Sequence, residues 1–139
     1  MKYDDQIDKE CKNICDAINE IPFLMTVESC CGHGKQSMDI WIRARNLEGL
    51  YILARAIDRR YGGPVTKELD KNKRNKYNTW KLLVEDSDAR MSVIFHLESS
   101  SMGKLAYKQA DQIAKNIRYI LKHEICMKAW MAGFEEKRD

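Results

Sequence analysis

The sequence predicts an α+β fold: a mainly antiparallel sheet of about four strands, with helices packed on one face. Two pairs of strand-like segments are each joined by a short connection, which is typical of β-hairpins. Helical segments lie between and outside these pairs, in the order α-β-β-α-β-β-α. Hairpins with separate helices favour an α+β arrangement over alternating parallel units. We therefore expect one helix-covered face and one open face.

The first half of the chain predicts a helix followed by a hairpin. Apolar residues recur at helical spacing over 3–21, and Pro22 ends this helix because its ring disfavours a helical residue before it. Apolar and polar residues then alternate over 23–29 and 38–45, which predicts two strands. The intervening residues 30–37 contain two glycines and form the hairpin loop.

The second half begins with a helix and a second hairpin. Asn46 is the expected N-cap of the helix, which stops at the glycines 62–63. Residues 79–85 and 91–98 are expected to form two strands. A turn at 86–88 joins them, because aspartate and serine favour turns.

A long apolar stripe predicts the C-terminal helix, and the serines 99–101 are expected to cap it. An unbroken helix over 102–134 would be about 50 Å long, which exceeds the width of a small domain. We therefore expect a bend or break near 123–126. Beyond it the stripe continues, and it is expected to pack either within the chain or against a second copy as a homodimer interface. Its residues there are Met127, Trp130, Met131 and Phe134.

These elements assign residues to the two faces of the sheet. The covered face is expected to carry Val27, Ile40, Leu82 or Leu83, Val93 and Phe95, with Phe23 and Met25 on the same side as Val27. The open face is expected to carry Glu28, Trp41, Arg43, Glu85, His96 and Glu98. Aromatic and charged side chains together are typical of a binding surface. A half-solvated antiparallel sheet gives the same pattern.

Composition and charge fit a single domain over 1–139. Apolar residues make up 44% of the 139 residues and charged residues 32%, as in globular proteins. The 24 basic and 21 acidic residues give a net charge of +3, which neither requires nor excludes a nucleic-acid partner. No apolar run is long enough for a signal peptide or a membrane span. We therefore expect no membrane partner and a cytoplasmic protein whose five cysteines are reduced.

The first hairpin loop carries the residues best suited to chemistry, and four interpretations stay open. They concern Glu28, Ser29, Cys30, Cys31, Gly32, His33, Gly34 and Lys35. As a metal site, the loop offers cysteine and histidine, but a structural zinc needs four ligands. The missing ligands would come from His96, Glu28, Cys11 or Cys15. Because no usual ligand spacing is present, we expect no metal ligands here and no structural zinc.

The other interpretations are an anion site, a nucleophile and a plain turn. For an anion, the two glycines would direct N–H groups to one point beside Lys35. For a nucleophile, His33 would act as the base of Cys31. Small residues also suit a tight turn. We expect at least one of the glycines at positive φ, and His33 and His96 facing one cavity on the open side.

The loop and its setting resemble two groups of proteins. Residues 28–34 look like the signature of small uncharacterised bacterial and phage proteins with a Glu-Ser-Cys-Cys-Gly-His-Gly stretch. More distantly, the chain is similar to the wybutosine-synthesis methyltransferase family of tRNA modification. That likeness rests on Thr26, Ser29, Cys30 or Cys31, Gly32 and the later strand in which His96 follows the apolar residues 93–95. It implies a similar fold, a tRNA substrate and S-adenosylmethionine as methyl donor. His33 stands where that family has arginine.

A basic segment at 67–81 is the candidate nucleic-acid contact. Its cationic residues interleave with Tyr77 and Trp80, and such patterns follow phosphates and stack bases. A solvated connector has the same composition. The residues predicted to contact nucleic acid are Lys71, Lys73, Arg74 and Lys76.

Together these features predict a cytoplasmic protein with a ligand site at loop 30–35, acting on RNA or a nucleotide as an enzyme related to tRNA-modification methyltransferases. The alternative is a non-catalytic binding or accessory module, with or without a metal, of a phage or bacterial system. The predicted catalytic residues are His33, His96 and Cys31. The predicted ligand-binding residues are Glu28, Ser29, Cys30, Gly32, Gly34, Lys35, Trp41 and Arg43.

Overall fold

The computed structural model describes residues 7–58, 80–87 and 93–125. Its regular elements are α1 (Lys9–Asn19), β1 (Leu24–Cys30), β2 (Ser37–Ala44), α2 (Gly49–Ile57), β3 (Lys81–Ser87), β4 (Val93–Met102) and α3 (Gly103–Tyr119). A 3₁₀ turn, Gly32–Gly34, lies between β1 and β2, and a π-helical turn, Ile120–Glu124, follows α3. The predicted α+β class is confirmed. Within the described segments, none of the helices combines the length and the apolar composition that spanning a membrane requires.

The four strands form one antiparallel sheet in the order β1-β2-β4-β3. The second strand is central, and Trp41 lies opposite Glu28 on one side and opposite His96 on the other. Leu83 of β3 is in turn opposite His96. Residues far apart in sequence therefore share the middle of one sheet face.

The core lies between the sheet and the helices, and β2 shows how the two faces separate. Its residues alternate between fully buried and partly exposed, as an amphipathic strand predicts. Each fully buried aliphatic side chain contributes roughly 1.5–3 kcal/mol. The largest such side chains include Ile14, Ile18, Ile40, Ile42, Leu97 and Ile117.

The residues of β1 differ from the prediction in which face of the sheet they occupy. A bulge at Val27, between Thr26 and Glu28, interrupts the pairing with β2. Met25 is exposed opposite Arg43, whereas Leu24 is buried. The prediction that Phe23 and Met25 share the covered face is wrong, because the extra residue at the bulge shifts the alternation and places Met25 on the same face as Glu28. Phe23 instead lies in the preceding turn at φ 72°.

The serines before α3 also differ from the prediction, since they do not cap the helix. They continue β4, and the helix begins after Met102 with no side-chain cap. The Ser99 hydroxyl accepts a hydrogen bond from the Met38 N–H at 2.8 Å and donates to the Ser101 carbonyl at 2.6 Å. Gly103, at φ 62°, makes the turn into the helix.

The remaining boundaries agree in part with the predictions. The last helix ends at the π-helical turn, and Ile125 has extended backbone angles, so the expected break is confirmed. The N-cap of α2 is Glu48 and not Asn46 as predicted, because the Asn46 side chain accepts a hydrogen bond from the Glu48 N–H at 2.8 Å in the turn before the helix. Residues 86 and 87 continue β3 rather than forming a turn. Helix α2 ends at Ile57, where Asp58 turns to extended backbone, so the predicted stop at the glycines 62–63 is wrong. Those glycines, the basic residues 71–76 and the apolar stripe 127–134 lie outside the described residues.

Candidate functional site

The open face of the sheet holds a histidine between two carboxylates. His96 is 9% exposed, and its Nε2 lies 2.6 Å from Asp39 Oδ1. Its other ring nitrogen, Nδ1, lies 3.1 Å from Glu85 Oε1. The Trp41 ring stacks on the imidazole with centroids 4.4 Å apart and planes 5° from parallel. Both nitrogens and one ring face of His96 are therefore held in place.

Strand register explains how these residues meet. Trp41 and His96 are cross-strand partners. Asp39 and Glu98 form another such pair, two residues further along the same two strands. Side chains two residues apart on a strand point to the same face. Glu85 sits where the pairing of β3 with β4 shifts, between Val84 and Asp86. This irregularity allows Glu85 to reach His96 from the edge strand.

The geometry of this cluster suits a cation. One donor atom from each of Asp39, His96 and Glu98 lies within 4.8 Å of the others. Carboxylate and imidazole are common ligands of divalent metals. A charged imidazole between two carboxylates is the other chemistry that the same contacts permit, because an imidazolium donates from both nitrogens.

The first hairpin loop is built on three consecutive residues at positive φ. These are Gly32 at 78°, His33 at 52° and Gly34 at 78°. The prediction for the glycines is confirmed. A Cβ on Gly32 would lie only 2.6 Å from the Ser37 carbonyl oxygen, so the loop also packs too closely there for any side chain.

This backbone places the His33 ring between two thiols. Its Nε2 lies 3.8 Å from Cys30 Sγ, and its Nδ1 lies 3.6 Å from Cys31 Sγ. The N–H of Gly32 points at Cys30 Sγ at 3.4 Å, and that of His33 points at Cys31 Sγ at 3.3 Å. These N–H groups are thus directed at sulfur rather than at a common anion position.

Asp8 and Tyr107 complete the surroundings of Cys31. The Asp8 carboxylate accepts a hydrogen bond from the Cys31 N–H at 2.9 Å, which holds the pKa of Asp8 below its usual value. Burial raises the pKa of the Cys31 thiol, and the hydrogen bond from the His33 N–H opposes that rise. A hydrogen bond with Cys31 raises the pKa of Tyr107. Asp8, Cys31 and His33 form a second group of donors within 4.8 Å of one another.

The cysteines of α1 have a structural role. Cys11 and Cys15 are fully buried in the core. Burial raises the pKa of Cys11 to about 12 and that of Cys15 to about 11. Ser29, predicted to bind a ligand, forms hydrogen bonds with both thiols and so faces α1 instead of the open face.

We predict that Cys30 reacts with an alkylating agent in the folded protein and that the two thiols of α1 do not. At about pH 8 the two helix thiols stay protonated, because that pH lies below their raised pKa values, and burial also shields them. Cys30 is partly exposed. Mass spectrometry after brief iodoacetamide treatment should find Cys30 modified, with Cys11 and Cys15 modified only in denaturant. Equal modification of all three in the folded protein would contradict the packing described.

Other predicted site residues lie elsewhere on the sheet and in the loop. Arg43 lines a cavity of about 270 Å³ together with Phe23, Leu24, Met25 and Arg45. Glu28 and Lys35 are exposed. The two histidines expected to share one cavity belong to different donor groups, His96 with Asp39 and His33 with Asp8.

Sequence reasoning missed the carboxylates that complete both donor groups. Asp39 alternates with buried isoleucine, which places it on the open face, but only the strand register shows that it meets His96. Asp8 lies 23 residues before Cys31 and precedes α1, so no local pattern links the two. Tyr107 comes from the distant α3.

Comparisons of the chain with protein-family models, curated proteins and solved structures found no match. The resemblances drawn from the loop residues therefore stay predictions, and the site is interpreted from its own geometry.

Proposed function

We propose that the protein binds a divalent metal ion on the open face of its sheet, with His96 Nε2, Asp39 and Glu98 as ligands. The observation that carries this proposal is the convergence of three donor atoms within 4.8 Å, from neighbouring strands of the sheet. Sites on regular elements hold ligands more precisely than sites on loops do.

The contact between His96 and Glu85 supports the proposal. Histidines that bind metals usually donate their other ring N–H to a carboxylate or carbonyl, which fixes the tautomer and the ring orientation. Here Glu85 Oε1 lies 3.1 Å from Nδ1, so a cation would bind Nε2 and take the place of the direct 2.6 Å contact between Nε2 and Asp39. Trp41 stacks on the same ring and restricts its rotation.

The ligand set favours an ion such as Mn²⁺. Carboxylates suit Mg²⁺, Ca²⁺ and Mn²⁺, while imidazole suits transition metals. Three protein ligands leave coordination positions for water or for a ligand.

A bound cation would also reconcile the site with the predicted RNA or nucleotide ligand. Asp39, Glu85 and Glu98 make the centre of this face acidic, which repels a phosphate when no cation is present. Arg43 and Arg45, in the cavity beside Phe23, would offer charge to the same ligand at the other end of the face. We therefore extend the proposal to an enzyme that binds the cation and acts on RNA or a nucleotide. The alternative is an accessory module that binds the cation without catalysis. The cytoplasmic location, the homodimer and the methyl donor also stay proposals.

Calorimetric titration with Mn²⁺ tests the cation site. We expect one Mn²⁺ per chain in the wild type and affinity weaker by about tenfold to a hundredfold in Glu85→Gln, the loss typical of removing a ligand's outer partner. Asp16→Asn is the control, because Asp16 is an exposed carboxylate of α1 that pairs with Lys12 at 3.7 Å. Absence of Mn²⁺ binding by the wild type, or equal affinity of Glu85→Gln and wild type, would overturn the proposal.

A further inference from the structure

We infer that the first hairpin loop and Asp8 form a second metal site, selective for a thiophilic cation such as Zn²⁺, with Asp8, Cys31 Sγ and His33 Nδ1 as its ligands. The three donor atoms lie within 4.8 Å of one another. Thiolate, imidazole and carboxylate are the three ligand types that zinc takes in proteins. This site is separate from the cation site on the open face and does not depend on it.

The backbone of the loop brings these donors together. His33 has φ 52°, a conformation that is uncommon for any residue other than glycine. In this conformation its Nδ1 lies 3.6 Å from Cys31 Sγ. Asp8 is tied to the same residue by the 2.9 Å hydrogen bond from the Cys31 N–H. Cys31 is only 3% exposed, so its sulfur is shielded from competing reactions.

Cys30 supports the histidine rather than serving as a ligand. Its sulfur lies 3.8 Å from His33 Nε2, on the side of the ring away from Cys31. With a metal on Nδ1, Nε2 carries the proton and faces Cys30, the arrangement of a ligand histidine with an outer partner. Three protein ligands leave a fourth position for water or substrate, so this is not a four-ligand structural zinc.

The two donor groups differ in the ions they select. The open-face group has only oxygen and nitrogen donors, whereas the loop group includes a thiolate. Soft thiolate ligands favour zinc-like ions over Mn²⁺. Co²⁺ is a spectroscopic substitute for Zn²⁺, because a thiolate bound to it gives a charge-transfer band that oxygen and nitrogen ligands do not give. A cobalt titration therefore reports on the loop and not on the open face.

We expect wild-type protein to develop the thiolate-to-cobalt band with one equivalent of Co²⁺ and to lose it when Zn²⁺ is added. Cys31→Ser should abolish the band. Cys30→Ser and Asp39→Asn should both keep the band. Because Asp39 belongs to the open face, the result for Asp39→Asn does not depend on whether the open-face proposal holds. No band in the wild type, a band that survives in Cys31→Ser, or a band lost in Cys30→Ser would overturn the inference.

His33→Gly guards against a folding artefact in the buried cysteine variant. Glycine adopts positive φ readily, so this substitution removes the imidazole while favouring the loop conformation. We expect Co²⁺ affinity at least tenfold weaker, with the melting temperature unchanged or raised. Wild-type affinity in this variant would contradict the role of His33 as a ligand.

Discussion

Gly32→Ala should destabilise the protein by roughly 2–5 kcal/mol, measured by chemical denaturation. An alanine in the left-handed conformation costs about 1–2 kcal/mol, and Gly32 has φ 78°. The added Cβ would also lie 2.6 Å from the Ser37 carbonyl oxygen, which is backbone and cannot rotate away. Overpacking of this kind costs typically 1–3 kcal/mol. The expected range is the sum of the conformational cost and the overpacking cost.

Gly34→Ala is the matched control, since Gly34 has the same φ of 78° but no atom within 4 Å of an added Cβ. It should lose only the conformational part, about 1–2 kcal/mol. If the two variants lost equal stability, the close approach of Gly32 to Ser37 would not be a feature of the folded protein.

Asp39→Asn should weaken Mn²⁺ binding by more than the tenfold to hundredfold loss expected when an outer partner is removed. The substitution replaces a charged ligand by a neutral amide and keeps the side-chain shape. It also removes the negative charge from the 2.6 Å contact with His96, so the metal-free protein should be less stable than wild type. Calorimetry measures the first effect and denaturation without metal measures the second.

The two readouts separate a metal site from a structural ion pair. If His96 and Asp39 served only as an ion pair, Asp39→Asn would lower stability with no change in Mn²⁺ affinity. Asp16→Asn, a like substitution on the exposed side of α1, should change neither quantity appreciably. A loss of affinity in this control equal to that in Asp39→Asn would show that the effect is one of net charge.

Much of the fold could be predicted because local patterns determine it. The alternation in β2 and the apolar face of α1 with Cys11 and Ile18 both follow from burial against a common core. The facing of β1 could not be predicted, because the bulge at Val27 shifts the alternation and has no distinctive sequence signal. Serine favours helix caps, so the sequence predicts a cap at 99–101, but pairing of Ser37 with Met102 keeps these serines in the sheet.

Some residues of the candidate sites could be predicted from the sequence, and others could not. The loop residues Cys30 and His33 were identifiable, because cysteine, histidine and glycine crowd into one short connection. Asp8 and Glu85 were not identifiable as their partners, since each contact joins separate elements and depends on tertiary packing or strand register. Sequence thus indicated where chemistry is concentrated but not which side chains meet there.

Crystals grown with Mn²⁺ and measured for anomalous scattering test the central claim most directly. We predict a manganese peak on the open face within bonding distance, roughly 2.0–2.6 Å, of His96 Nε2 and of carboxylate oxygens of Asp39 and Glu98. Glu85 should remain on Nδ1 of the same histidine. An open face without such a peak, with His96 Nε2 still hydrogen-bonded directly to Asp39 at saturating Mn²⁺, would contradict it.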